Sequence, residues 1–507
     1  MKQSSFRSLL SQLDLFITLV PFFIIVLLCA LFMMHPESSS ATLESIRFFF
    51  GDQLGSYYLL IGLGVCICSL YMAFSKYGSI RLGNLDKPEY SNFRWGSMMF
   101  TAGLAADILF YSCCEWMLYA AEPHTTDMGA MHEWAATFPL FHWGPIAWGF
   151  YLVLSVAFGF MLHVRKRDKQ KYSESCRAIL GDRVDGWAGK LIDLIAVFAL
   201  LAGTATTFSL ATPLLSQAIS RLTGAAQTTS LTIIILIAIC AIYTFCVYFG
   251  MKGVQAAAAC CTYLFFTLLV YVFLFGGESQ FIIETGITAL GNVAQNFISM
   301  ATWTDSLRTS SFPQNWTIFY WAYWMVWCVA VPFFIGSISK GRTIRQTILG
   351  GYICSLAGTY TSFIILGNYG LGLQMHGKLD VLTPYMENGD LYTAIISILE
   401  QLPLSGLVLI LLVLCMVTFY STSFDSITMV AATYSYKELP HDAEPDRKVK
   451  LFWSIFLILL PVALLFAENS MANLQTVSII AAFPIGIIMI LIIASFFKDA
   501  KAYLEGK

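Results

Sequence analysis

Charge is scarce in this sequence. Lys, Arg, Asp and Glu make up 12% of its 507 residues while hydrophobic residues make up 57%, against roughly 25% and 45–50% in soluble domains. That balance excludes a water-soluble fold with a single apolar core, which could not cover its own surface with polar groups. Polar stretches long enough to build a separate extramembrane domain are also lacking. The seven histidines form no cluster and no paired Ser/Lys or Asp/Asp constellation stands out, which argues against a metal centre, a cofactor or an intramembrane enzyme. The thirteen cysteines do not make a disulfide framework, because most lie within apolar runs and the pairs Cys113–Cys114 and Cys260–Cys261 are adjacent; buried structural thiols are the better reading. The first apolar run is too long for a signal-peptide core and no small-residue cleavage site closes it, so a retained anchor is expected. The net charge of −2 says nothing about partners, and no nucleic-acid partner is expected.

What is present is a series of long apolar runs. A hydrocarbon layer of about 30 Å needs roughly 20 helical residues, and about twelve runs meet that length. They fall near 13–34, 56–74, 97–120, 144–162, 191–219, 229–250, 257–276, 316–338, 348–366, 404–433, 451–466 and 477–497. The chain therefore reads as one all-α integral membrane domain over 1–507, with the lipid bilayer as its surround. If every run crosses once, Arg47, Arg221, Arg308 and Lys378 stand on one side and all other Lys and Arg of the 29 on the other. By the positive-inside rule both termini are cytoplasmic, in a bacterial cell inner membrane. The charged loops near 165–190 and 437–450 read as solvated faces that fix topology.

Two runs depart from uniform apolarity. The third carries Thr101, Gly103, Leu104, Asp107 and Glu115; the eighth carries a crowd of aromatics and then Pro332. Broken helices in transporters expose helix ends at the midplane, often at matching places in two inverted repeats. The two runs are five apart, so the expected organisation is two helices and a linker (1–95), a first repeat (96–276), a surface helix (277–315), a second repeat (316–497) and a short tail (498–507). Amphipathic surface helices are expected near 281–302 and 391–401.

In the eighth run Trp316, Tyr320, Trp324 and Trp327 recur at i, i+4, i+8 and i+11, on one helix face. A second cluster holds Trp143, Trp148 and Tyr151. An interfacial aromatic belt or plain packing is one reading, and it suits Trp316. Trp324 and Trp327 lie roughly 12–16 Å deeper along the helix, where indole faces form a cage for a quaternary ammonium ion, at up to about 2 kcal/mol per desolvated ring. Asp107 and Glu115 are intramembrane carboxylates, costly and functional by default; the alternative is a carboxylate satisfied by structural hydrogen bonds. Asp107 is a candidate proton carrier or counter-ion to a substrate. In the tenth run Thr422, Ser423, Asp425 and Ser426 interrupt the apolar sequence, as a sodium site or as helix-packing hydroxyls.

Together these motifs resemble the betaine/choline/carnitine transporter (BCCT) family from the first run to the twelfth. The most specific match is Trp316-Thr-Ile-Phe-Tyr-Trp-Ala-Tyr-Trp with Ile338-Ser-Lys-Gly-Arg-Thr-Ile-Arg345. The resemblance implies twelve transmembrane helices, a LeuT-like five-plus-five inverted repeat preceded by two extra helices, and often a homotrimer. It implies an aromatic box of Trp143, Trp148, Tyr151 and Trp324 with Trp327 on the transport path, and Na⁺ held by Thr422 and Ser423 with backbone oxygens near Thr101 and Leu104. Three departures qualify it. Gly103-Leu-Ala-Ala-Asp107 has an acid where several betaine carriers have glycine, as proton-coupled choline carriers do. Cys261 stands where sodium-independent carnitine exchangers place an ion-mimicking arginine. Cys114-Glu-Trp-Met-Leu-Tyr119 resembles the carnitine branch. The short tail favours uptake for metabolism, or constitutive uptake, over osmotic sensing. The expected function is secondary transport of a quaternary ammonium compound, choline favoured and betaine or carnitine as alternatives, driven by H⁺, Na⁺ or the membrane potential. A sodium-independent exchanger of carnitine-like zwitterions is the second reading; an intramembrane enzyme and a channel are remote ones.

Overall fold

The computed structural model describes residues 6–104, 106–248, 251–440, 443–466 and 471–506. Helices account for most of it, and among the described residues only two isolated bridges, Leu13 with Tyr436 and Arg81 with Thr343, resemble β-structure. The helices that matter below are α1 (Leu15–Met34), α2 (Gly55–Phe74), α3 (Asn92–Leu104), α4 (Asp107–Ala120), α5 (Met131–His142), α6 (Pro145–His163), α7 (Trp187–Thr223), α8 (Thr229–Tyr248) and α9 (Met251–Phe275). They continue as α10 (Ser279–Thr302), α11 (Ile318–Trp327), α12 (Val331–Ile338), α13 (Ile344–Ser362), α14 (Asn368–Met375), α15 (Leu391–Glu400), α16 (Ser405–Tyr434), α17 (Arg447–Phe466) and α18 (Met471–Leu504).

Each of the twelve expected runs falls on a helix or a broken helix pair. By length and apolar composition together, seven stretches among the described residues are able to cross a membrane, and a bent pair makes an eighth. Helices α1, α8 and α17 and the broken α3–α4 pair fall outside that criterion, so the count of twelve is not reached by it; the end of the run at 229–250 lies outside the described residues.

Local chemistry sets the ends. Asp14 caps α1 by accepting from the Ile17 amide at 3.4 Å. Thr343 and Gln346 make a reciprocal capping box at the start of α13. Pro145 opens α6, where its missing N–H costs nothing, and Gly224 ends α7 in the left-handed region at φ +74°.

The third run is two helices, α3 and α4, with Ala106 in a turn just before α4; Ala105 lies outside the described residues. The eighth is bent by 51° between Trp327 and Val331, where Pro332 withholds an amide from the helix ladder. α12 crosses α6 at glycine: a Cβ on Gly336 would lie 2.7 Å from the Ser155 carbonyl oxygen and 2.8 Å from the Gly159 amide nitrogen. Close crossings of this kind replace the hydrophobic effect as the source of helix association in lipid.

The segment 338–345 locks onto the loop after α2. The Leu82 amide donates to the Arg342 carbonyl at 2.8 Å and the Ile344 amide to the Ile80 carbonyl at 2.9 Å. The Arg342 guanidinium lies 4.3 Å from the Trp95 ring centroid and donates to Asn92 Oδ1 at 2.9 Å. The basic loop after α6 is less solvated than its composition suggests. Arg167 reaches Asp499 on α18 at 3.0 Å and Glu174 at 3.2 Å, and Lys171 is 7% exposed beside Asp14 and Asp193. α10 buries Ile282, Ala289 and Val293, while its outer face mixes Gln280, Glu284 and Gln295 with exposed Ile283, Ile287 and Ile298. α15, capped by Asp390, packs Ile395, Ile398 and Leu399 inward on α4, α7 and α16. Cys113, Cys114, Cys261 and Cys415 are free, buried thiols.

Candidate functional site

Both broken helices end at one place. A small cavity there is lined by Gly103, Leu104, Asp107, Trp143, Tyr151, Tyr323, Trp324 and Trp327. Trp324 is its hub: its ring centroid lies 5.5 Å from that of Trp143, 5.2 Å from Trp148 and 4.8 Å from Tyr151. Trp148 and Tyr151 meet edge to face at 5.6 Å. All four rings are buried. This places the two sequence clusters in one box, buried inside the protein with no ring face turned outward as an interfacial belt would have it. Trp316, by contrast, belongs to the helix entry, where its Nε1 donates to Glu122 Oε1 at 2.6 Å.

The box is closed on itself in this conformation. The free space is about 10 Å³, room for roughly one water molecule, so admitting a trimethylammonium group requires the rings to separate. Trp148 and Trp324 make no hydrogen bond through their indole nitrogens among the described residues, so ring contacts alone hold them. Gly103 makes the wall of α3 thin: a Cβ there would lie 2.8 Å from the Trp148 ring.

Asp107 is the acid of the cavity. It is 3% exposed and is the first residue of α4, where the helix dipole favours a negative charge. Tyr323 donates to its Oδ2, Thr207 of α7 reaches the same oxygen at 3.4 Å, and the Thr207 and Tyr323 hydroxyls are 2.8 Å apart. Sequence reasoning missed Tyr323 and Thr207. Tyr323 sits off the aromatic stripe but next to Trp324, and Thr207 belongs to the hydroxyl run Thr204-Ala-Thr-Thr207, a signal of the same kind as the one read at 421–426.

Glu115, two turns along α4, does not line the cavity. It accepts from Trp143 Nε1 at 2.7 Å and from the Tyr119 hydroxyl at 2.6 Å, so it supports a wall of the box.

The residues read as an ion site are partly assembled. Ser423 Oγ donates to the Thr101 carbonyl at 3.0 Å, joining α16 to α3, and Leu104 is one turn further along α3 at the cavity. The Thr422 hydroxyl bonds back to Thr418 and Phe419 carbonyls of its own helix. Asp425 and Ser426 are buried, with Ser426 bonded to the Thr422 carbonyl. Cys261 is buried.

Broken membrane helices that converge on a buried aromatic and acidic cavity define a multi-pass membrane transporter. The profile of the BCCT family, betaine/carnitine/choline family transporter, matches residues 16–505, and the chain belongs to that family. It is 31% identical over 475 residues to the "Probable glycine betaine transporter" of Desulfitobacterium hafniense, covering 92% of this chain and 93% of that protein. It is 30% identical over 447 residues to the "Uncharacterized transporter YeaV" of Escherichia coli K12, covering 87% and 92%. To the "Carnitine transporter" of Acinetobacter baumannii it is 28% identical over 439 residues, covering 85% and 79%. A solved Na⁺-coupled sialic acid symporter aligns over 90% of this chain and 86% of its own, with a TM-score of 0.46 and 12% identity. The chain is a transporter and not an enzyme.

Proposed function

We propose that this protein imports a small quaternary ammonium compound across a bacterial inner membrane, with choline as the favoured substrate. The observation that carries the reading is the convergence of Trp143, Trp148 and Tyr151 on Trp324 beside one buried acid, Asp107. Methylated ammonium offers no hydrogen bond, so recognition falls to ring faces. Alternating access around the box requires it to open on one side of the membrane at a time. Trp327, at the bend between α11 and α12, lies where the path leaves it.

Asp107 balances the substrate's charge or carries a coupled proton. A cation gains about 2.3 kcal/mol per 100 mV on entering a negative cell, nearly two decades of accumulation, so choline needs no further driving force. A zwitterion gains nothing from the potential and needs a coupled ion. The position for Na⁺ is Thr101, Leu104, Thr422 and Ser423. Both termini are cytoplasmic in this reading and the protein assembles as a homotrimer.

The relatives named for carnitine and glycine betaine favour a second reading, exchange or symport of zwitterions. Uptake of labelled choline into proteoliposomes under an imposed potential, with and without sodium and pH gradients, separates them. Choline uptake lost in Asp107→Asn supports the first reading. Absence of choline uptake, with carnitine or betaine exchange intact, supports the second.

A further inference from the structure

One wall of the box is held from behind by a buried chain of hydrogen bonds. Trp143 Nε1 donates to Glu115 Oε2 at 2.7 Å. The Tyr119 hydroxyl lies 2.6 Å from Glu115 Oε1 and 2.5 Å from His142 Nδ1. His142 Nε2 lies 3.0 Å from Thr317 Oγ1. Glu115, Tyr119 and His142 are fully buried. The titratable groups around Glu115 are Tyr111, Cys114 and Tyr119 of α4, His142 of α5 and Tyr320 of α11, which stacks on the His142 ring at 4.7 Å. Among the described residues no lysine or arginine forms an ion pair with it.

This chain is satisfied in two directions. With Glu115 charged, neutral His142 donates from Nδ1 to the Tyr119 oxygen, Tyr119 donates to Oε1, and Thr317 donates to Nε2. With Glu115 protonated, Oε1 donates to Tyr119, Tyr119 donates to Nδ1, and Nε2 donates to Thr317. The two differ by one proton. It enters at Nε2, the Nδ1 proton passes to the Tyr119 oxygen, the phenolic proton passes to Oε1, and the Thr317 hydroxyl rotates from donor to acceptor. No heavy atom has to move. Trp143 keeps its acceptor throughout, but a charge-assisted bond to a carboxylate is roughly twice as strong as one to a neutral acid.

We propose that Glu115 is the positioning residue of the Trp143 wall, and that a proton passing between His142 and Glu115 through Tyr119 sets how firmly the aromatic box holds a trimethylammonium ligand. The proposal rests on the reading of the box as the trimethylammonium site. Charged Glu115 fixes the indole in place and adds a negative charge behind it, so affinity is higher in that form. Protonation loosens the ring and removes the charge.

The test is isothermal titration of choline and of glycine betaine into the purified full-length protein between pH 8 and pH 5.5, for wild type, Glu115→Gln and Glu115→Leu. A melting curve for each variant verifies folding. Glutamine reproduces the protonated pattern, since its oxygen accepts from Trp143 and its amide donates to Tyr119. Wild type is expected to weaken by about threefold or more as pH falls, in keeping with the loss of a charge-assisted bond. Glu115→Gln is expected to bind like acid wild type at every pH, and Glu115→Leu to bind more weakly than either. Asp107 is present in all three, so a slope common to all belongs to it. A Gln variant that keeps the wild-type pH slope, or a Leu variant that binds like wild type, would overturn the proposal. Trp324→Ala is the separate control: unchanged binding there removes the box reading itself, whatever Glu115 does.

Discussion

Ser423 Oγ donates to the Thr101 carbonyl at 3.0 Å, tying the middle of α16 to α3 one turn before Leu104. The bond brings a side-chain oxygen and a backbone oxygen from opposite halves of the chain together beside the cavity, at the position proposed above for Na⁺. Ser423→Ala is expected to raise the sodium concentration for half-maximal betaine uptake by about fivefold, the worth of one net hydrogen bond or ligand of about 1 kcal/mol. Uptake measured against external sodium checks it, and an unchanged sodium curve takes Ser423 out of the ion site.

Trp324 touches every other ring of the box, so its loss is felt by any trimethylammonium ligand. Trp324→Ala is expected to weaken binding of choline, betaine and carnitine alike, by about thirtyfold for each, on the scale of about 2 kcal/mol per desolvated ring face. Trp324→Phe keeps a ring face and recovers part of the affinity. Titration of the three ligands decides this; selective loss of one ligand would point to shape and not to the ring.

Asp107 contributes a charge and Tyr323 directs it. Asp107→Asn is expected to abolish potential-driven choline uptake while a zwitterion keeps most of its binding. Tyr323→Phe removes one donor and leaves Thr207, so choline uptake falls by about tenfold and survives. If Asp107→Asn impairs choline and betaine equally, the residue is structural.

The loop before α11 carries a pH-dependent element. Burial pushes the Asp305 carboxyl up, but hydrogen bonds from the amides of Thr309, Ser310 and Ser311 and from the Thr309 hydroxyl outweigh it and hold the group well below the usual carboxylate range. A folded value below the unfolded one, about 3.9, gives stability that is present above the unfolded value and lost as pH falls through the acid range. Asp305→Asn is therefore expected to lower the melting temperature at pH 7, with the gap from wild type starting to narrow below about pH 5 and still open at about pH 3, because the folded group titrates well below the unfolded one. A gap that stays constant with pH would show that the effect is not ionic.

Much of this was legible because membrane helices are constrained so tightly. Where oil surrounds a helix, any acid, glycine cluster or proline departs from expectation, and Asp107, Gly103 and Pro332 marked the two broken spans before any coordinates. The stripe Trp316, Tyr320, Trp324 and Trp327 was legible as one face, yet its members divide in the structure. Trp316 bonds Glu122 at the helix entry, Tyr320 stacks on His142, and Trp324 and Trp327 line the cavity. Glu115 looked equivalent to Asp107 in the sequence and is not: two turns of helix put it behind Trp143. The basic loop after α6 read as a solvated face because its partner, Asp499, is more than 300 residues away.

The sequence by itself determined the membrane domain, the sites of both helix breaks and the residue types of the aromatic box, because hydrocarbon leaves few ways to satisfy a backbone or bury a charge. Only the tertiary structure decided that Tyr323 and Thr207 hold Asp107, that Ser423 reaches Thr101, and that the four rings close on one another around about 10 Å³ of free space. Those contacts join positions far apart in the chain, where neither helical periodicity nor local composition carries information about distance.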